Sequence, residues 1–173
     1  MIIEAKIINQ PESGQYLEKI YDIQSPWNSQ EWTWIKFINA DFSEWCGQFR
    51  GLPRQIAISE KHKIILLLTS DYLYQLGQKE AEIIQFEERP SFQNLCVTDH
   101  GDFILSDYYD FEKITNNIKN KEQIVGPIQM DNIKFKKITG SKLEFTCEEF
   151  LNWERHLTME YDSEIDEFSI LEG

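Results

Sequence analysis

Ile64-Ile65-Leu66-Leu67-Leu68, set between Lys63 and the polar triplet Thr69-Ser70-Asp71, is the stretch that decides the fold class. Five consecutive apolar residues bounded by turn formers have the length of a strand buried on both faces and fall short of an ordinary helix. The surroundings read the same way. Gln55–Ser59 precedes the run across the polar turn Glu60-Lys61-His62, and Tyr72–Leu76 and Glu82–Phe86 follow it. Short strands with polar punctuation predict an antiparallel meander sheet. Further along, Leu95-Cys96-Val97-Thr98 matches Ile56-Ala57-Ile58-Ser59 at an offset of 39 residues, Asp99-His100-Gly101 replaces the turn, and Phe103–Ser106 takes the place of the inner strand.

That spacing resembles the blade period of β-propellers, over residues 54–114. It predicts two propeller-blade-like repeats, and because a closed propeller needs about four blades or more, it favours an open or half-rolled antiparallel sheet. Residues 133–147 predict a hairpin: Ile133, Phe135 and Lys137 alternate with Lys134, Lys136 and Ile138, Thr139-Gly140-Ser141 turns the chain, and Leu143, Phe145 and Cys147 return it. Matching the apolar faces puts Phe135 opposite Phe145 and Lys136 opposite Glu144. Short helices are expected at Gly14–Tyr21, at Phe111–Asn120, and after the capping-box spacing of Thr146-Cys147-Glu148-Glu149, where Phe150, Trp153 and Leu157 fall at helical intervals. Beyond them Leu157, Met159 and Tyr161 alternate with polar residues as a strand does, and a last strand is expected around Ile165–Ile170. The fold class is mainly β, with α+β character at the margins. Five prolines stand singly at joints and no Gly-, Ser- or Pro-rich linker interrupts the chain, so residues 1–173 are read as a single domain.

Composition narrows the function classes. Seventeen Lys and Arg stand against 30 Asp and Glu, a formal charge of −13 that repels a phosphate backbone and argues against nucleic-acid binding. No apolar run approaches the roughly 20 residues needed to span a bilayer, and Met1–Ile8 lacks the apolar stretch of a signal peptide, so no membrane partner and a cytoplasmic location are expected. Cys46, Cys96 and Cys147, odd in number and far apart, read as reduced structural thiols.

No constellation fixes a reaction. His62 and His100 sit inside predicted turns, where a solvated side chain is the plain expectation, and no nucleophile elbow, phosphate loop or dinucleotide fingerprint occurs. Asp99, Asp102, Asp107 and Asp110 cluster in twelve residues without the spacing of a calcium loop, and turn-forming roles account for them. Neither catalytic residues, metal nor cofactor is assigned.

Two features point to binding. Trp27, Trp32, Trp34 and Trp45 lie within nineteen residues, together with Phe37, Phe42 and Phe49. Core packing accounts for such a cluster, and an interface rich in Trp is the competing reading. On a strand, Trp32 and Trp34 share one face and Ile35 and Phe37 the other, so that strand is central or meets a partner. Charge is also segregated. Residues 113–142 carry seven lysines against two acids, and residues 143–173 carry ten acids against Arg155 alone. Alternation puts Glu144, Glu148 and Glu160 on the sheet side opposite Phe145 and Met159, exposed and, with Asp162 and Glu164, available to a basic partner.

The phrases Trp34-Ile35-Lys36-Phe37, Glu44-Trp45-Cys46-Gly47-Gln48-Phe49-Arg50-Gly51, the stretch Ile56–Tyr74, and Cys147-Glu148-Glu149-Phe150-Leu151-Asn152-Trp153 resemble those of small acidic immunity-type proteins of bacterial polymorphic toxin systems. The resemblance implies a non-enzymatic binding protein that occludes a cognate, basic toxin domain. Glu144, Glu148, Glu160, Asp162, Glu164, Trp32 and Trp34 are the expected contact residues. The alternative is a carbohydrate-binding module or hydrolase using the Trp-rich segment 27–49 as a stacking platform; a third reading is a scaffold that completes its sheet by dimerisation.

Overall fold

The computed structural model describes residues 1–173 apart from the side chain of Trp153. Its chain divides into two compact units, Met1–Pro90 and Ser91–Gly173. Each unit holds two four-stranded sheets.

The first unit runs β1 (Ile2–Ile8), β2 (Leu17–Tyr21), β3 (Trp32–Asn39), β4 (Glu44–Arg50), β5 (Pro53–Ser59), β6 (Ile64–Thr69), β7 (Tyr72–Gly77) and β8 (Ile83–Glu88). One sheet has the order β1-β3-β4-β2, with β2 parallel to β4, and the other is the meander β5-β6-β7-β8. Every residue of β6 is buried, as the run Ile64–Leu68 demands. Ile65 and Leu67 pack with Ile35, Phe37 and Phe49 of the first sheet and with Tyr72, Tyr74 and Leu76 of β7. Gly47 is required under this layer, because a Cβ there would come within 2.7 Å of Phe49 and 2.9 Å of Phe37.

The second unit runs β9 (Asn94–Val97), β10 (Phe103–Ser106), β11 (Phe111–Ile114), β12 (Lys121–Ile124), β13 (Met130–Thr139), β14 (Lys142–Glu149), β15 (Asn152–Asp162) and β16 (Glu167–Glu172). Both sheets are antiparallel meanders, β9 to β12 and β13 to β16. Phe111 is the hub of their core: its ring meets Phe135 at 5.6 Å, Phe145 at 4.9 Å and Phe168 at 5.4 Å.

Several expectations are corrected. No helix occurs among the described residues. At Gly14–Tyr21 the apolar residues have helical spacing, yet only Tyr21 is buried, stacked on Phe49 at 4.2 Å with its hydroxyl donating to the Ala81 carbonyl, and Leu17–Tyr21 joins β4 as an edge strand. Phe111–Asn120 starts as β11, because Phe111 and Ile114 are both needed in the core. The capping-box segment is a strand that turns at Phe150-Leu151 and returns as β15; the Trp153 side chain invoked for a helix there lies outside the described residues. The two propeller-blade-like repeats are not seen as such. The structure has instead four separate four-stranded sheets, and the strands matched at the 39-residue offset open the second and third of them. In the 133–147 hairpin Phe135 does face Phe145, but a bulge between Phe135 and Lys137 moves the register so that Lys137, not Lys136, faces Glu144. The last strand begins at Glu167, two residues later than expected, since Ser163 through Asp166 are spent on a turn.

Candidate functional site

Three connections converge at one end of the second unit. The first is the tip between β10 and β11, where the Asp107 carboxylate accepts the backbone N–H groups of Tyr109 at 2.7 Å and Asp110 at 2.8 Å. The second, residues 125–129 between β12 and β13, is tied to the third, the Phe150-Leu151 tip, by the Phe150 N–H donating to the Gln129 carbonyl at 2.9 Å. The Ile133 N–H donates to the Tyr108 carbonyl at 3.3 Å, fixing the first tip to β13. An Asp at the head of a four-residue tip removes the freedom of the residues it caps, so the aromatic side chains are displayed from a rigid base.

Those side chains are large, apolar and exposed: Tyr108 49%, Tyr109 50%, Val125 81%, Phe150 40% and Leu151 77%. Tyr109 meets Phe150 edge to face at 6.1 Å and 83°. Leu151 has a φ of 64°, left-handed backbone that a branched side chain adopts at a cost of roughly 1–2 kcal/mol. Between the tips lies an open cleft of about 480 Å³ lined by Tyr109, Asp110, Gln123 to Met130 and Phe150. Clustered exposed aromatic surface on ordered loops is the usual mark of a contact surface.

The second unit as a whole is acidic, with eight Lys and Arg against seventeen Asp and Glu, a net of −9, while the first unit has nine against thirteen, a net of −4. Glu144, Glu148 and Glu160 do share the sheet face opposite Phe145 and Met159, with Glu144 directly across from Glu160. They are not freely exposed. Their side chains retain 29%, 24% and 21% of their accessibility and are engaged by Lys137 at 3.1 Å, His156 at 3.4 Å and Lys142 at 2.6 Å respectively. The reason is topological: the lysine-rich segment supplies β13 and the start of β14, so the two oppositely charged blocks fall on one sheet and pair there. Asp166 is paired with the other sheet of the unit, its carboxyl held below the ordinary range by the Tyr161 hydroxyl at 2.5 Å and by Lys113 of β11 at 3.2 Å. Asp162 is lowered chiefly by the Glu164 N–H that it accepts, which makes Asp162 and Glu164 the two ends of one turn.

Trp32 and Trp34 lie in the other unit, half-buried on one face of β3, with Ile35 and Phe37 buried on the opposite face. The Arg50 guanidinium sits over the Trp32 ring at 3.6 Å and also pairs with Asp22 at 2.9 Å, so one face of that indole is already occupied. Trp27 is exposed, but its Nε1 donates to the Ser70 carbonyl and Arg89 lies over its ring at 4.7 Å.

Burial pushes the Cys46 thiol up to about 11, Cys96 to about 12 and Cys147 to about 11, which keeps all three protonated and poorly nucleophilic at neutral pH. Among the described residues no group of three or more His, Cys, Asp or Glu side chains could hold a metal ion. Within the aspartate cluster, Asp107 caps its own tip and Asp102 closes the β9–β10 turn through its backbone, accepting the Thr98 N–H at 2.9 Å. The loop end was missed by sequence reasoning. Its signal was present in Asp107-Tyr108-Tyr109-Asp110 and Glu149-Phe150-Leu151-Asn152, pairs of large apolar residues enclosed by turn formers, where a turn needs no such side chains.

No family model matches the chain, and no curated protein matches it. Among solved structures it is similar to the dihydro-heme d1 dehydrogenase NirN in complex with DHE, at a TM-score of 0.54 and 11% identity over 82% of this chain and 33% of that one. The N-terminal domain of Nup159 gives 0.49 at 7% identity over 70% and 34% of the two chains, and S. cerevisiae Dbp5 bound to Nup159, Gle1, IP6 and ADP gives 0.48 with the same identity and coverage. The chain therefore spans about a third of the length of the solved chains it matches. At 11% identity the NirN likeness is one of fold alone. No helix among the described residues is long and apolar enough to cross a membrane.

Proposed function

We propose that this chain is a non-enzymatic binding protein of the immunity kind, cytoplasmic, which neutralises a basic toxin domain by covering it. The observation that carries the reading is the convergence of three ordered loop tips displaying Tyr108, Tyr109, Val125, Phe150 and Leu151 in a unit of net charge −9. Rigid aromatic anchors supply contact area at small entropic cost, and a field of one sign speeds encounter with a partner of the other. The charged residues expected from the sequence act at longer range here, because Glu144 and Glu160 already hold lysines of their own chain and Glu148 is engaged by His156.

Co-expression with a neighbouring gene's product, expected on this reading to be the toxin, tests it. Wild type restores growth and co-purifies with the toxin at one to one; the double variant Tyr109→Ala, Phe150→Ala folds but fails to protect. A wild-type protein that neither binds nor protects against that neighbour ends the immunity reading, and full protection by the double variant moves the contact away from the loop end.

A further inference from the structure

The lining of the cleft between the three tips selects what part of a partner enters it. Its chemistry is one-sided. Among the described residues Asp110 is the only carboxylate lining the space, and no Lys, Arg or His lines it. The Asp110 carboxylate is met by a single long hydrogen bond, from Gln123 Nε2 at 3.4 Å, and no cation pairs with it among the described residues. Val125-Gly126-Pro127-Ile128 also line the cleft, and Pro127 among them has a carbonyl acceptor and no N–H donor. The Gln129 carbonyl is already taken by Phe150 N–H, and the Met130 side chain, another lining group, packs so close to Gly126 that a Cβ there would approach it to 2.6 Å. Tyr109 and Phe150, whose rings meet edge to face, complete the lining.

A side chain suited to that space carries positive charge, presents donors and no acceptors, and has a flat face for an aromatic ring. Arginine has all three properties; lysine lacks the plane and the fork of donors. We infer that the cleft is an arginine-binding pocket that receives one arginine from a surface loop of a basic protein partner, its guanidinium between the Tyr109 ring and the Asp110 carboxylate. The inference rests on the binding reading above and gives that site its ligand.

The probe is a set of three capped pentapeptides, glycine and serine throughout except for a central arginine, lysine or citrulline, titrated into the isotopically labelled full chain and followed by amide chemical shifts. The arginine peptide is expected to move residues 107–110, 123–129 and 149–151, to bind at least about threefold more tightly than the lysine peptide, and to lose its preference over neutral citrulline in Asp110→Asn. Tyr109→Ala weakens it by about three- to fivefold. Both side chains are exposed, so both variants fold. Equal binding of arginine and lysine, or no shift at the cleft at about 5 mM peptide, overturns the pocket. Shifts centred on β14 and β15 also overturn it, yet leave a basic partner standing; failure of wild type in the co-expression experiment, with the peptide still seated in the cleft, removes the immunity reading and keeps the pocket.

Discussion

Replacing Phe111 with Ala tests whether the core of residues 91–173 is organised around one ring. Phe111 is wholly buried and contacts Phe135, Phe145, Tyr161 and Phe168 within 6.5 Å. Truncating a buried Phe to Ala costs about 3–5 kcal/mol, from lost transfer energy and the cavity left behind. Four ring pairs at about 0.5–1.5 kcal/mol each would double that figure if added, but the truncation value already contains them, and rings on neighbouring strands relax only partly. We expect about 4 kcal/mol, a large share of a typical domain stability of about 5–15 kcal/mol. At a denaturant slope of about 2 kcal/mol per M the urea midpoint falls by about 2 M. Because Trp27, Trp32, Trp34 and Trp45 all lie in residues 1–90, tryptophan emission reports chiefly on the first unit, and hydrogen exchange of β11 and β14 peptides is the proper readout for the second. Phe111→Leu, which keeps most of the volume, should cost no more than about 1.5 kcal/mol. A loss below about 1.5 kcal/mol for Phe111→Ala would refute the hub and imply that the remaining rings close the cavity without it.

Further outcomes follow from the buried thiols and the paired acids. With all three thiols raised by burial, a disulfide reagent at pH 8 should label the native protein slowly and the urea-unfolded protein at the rate of a free thiol; rapid native labelling of Cys46 or Cys147 would contradict their burial. Asp166 is lowered by the Tyr161 hydroxyl and Lys113, and Glu149 by Asn152 and Arg155. Depressed folded values give a contribution present above the unfolded value, near pH 4, and lost as pH falls through the folded one, so the urea midpoint should drop from about pH 4 downward and drop less in Asp166→Asn. Burial raises the Tyr21, Tyr74 and Tyr161 hydroxyls, so their contribution is complete below about pH 10 and is lost as pH rises further, which an alkaline denaturation series will show.

How much of this was legible in the residues depends on the range of the forces involved. The strands around Ile64–Leu68 were readable because a run of apolar residues between turn formers has one economical fate, and Gln55–Ser59, Tyr72–Leu76 and Phe103–Ser106 are found within one or two residues of the observed β5, β7 and β10. The helices were misread because spacing cannot say which residues find a buried neighbour: Leu17 and Ile20 mimic a helical stripe but stay exposed, and only Tyr21 reaches the core. The Lys136 register failed by one residue because a bulge leaves no mark in an alternating sequence of lysines and apolar residues. The loop end was out of reach for a different reason. Tyr109 and Phe150 are 41 positions apart in the chain, and only the packing of the second unit's two sheets on each other places their tips side by side.

Charge shows the same limit most sharply. A block of ten acids read alone is a docking face, and a block of seven lysines read alone is its mirror; folded, each uses part of the other. What remains for a partner is the charge left over after internal pairing, and its position matters more than its amount. Reversing Glu144 and Glu160 to Lys therefore tests two things at once, because each reversal also puts like charges where Lys137 and Lys142 now pair. Neutral substitution at Asp110 separates them, since among the described residues no cation pairs with that carboxylate. A partner that associates by the overall field will lose on-rate in proportion to net charge wherever the change is made. A partner seated in the cleft will instead leave faster from Asp110→Asn while its on-rate stays within a factor of about two, and equal losses for Asp110→Asn and an exposed distant change such as Glu164→Gln would show that the field alone does the work.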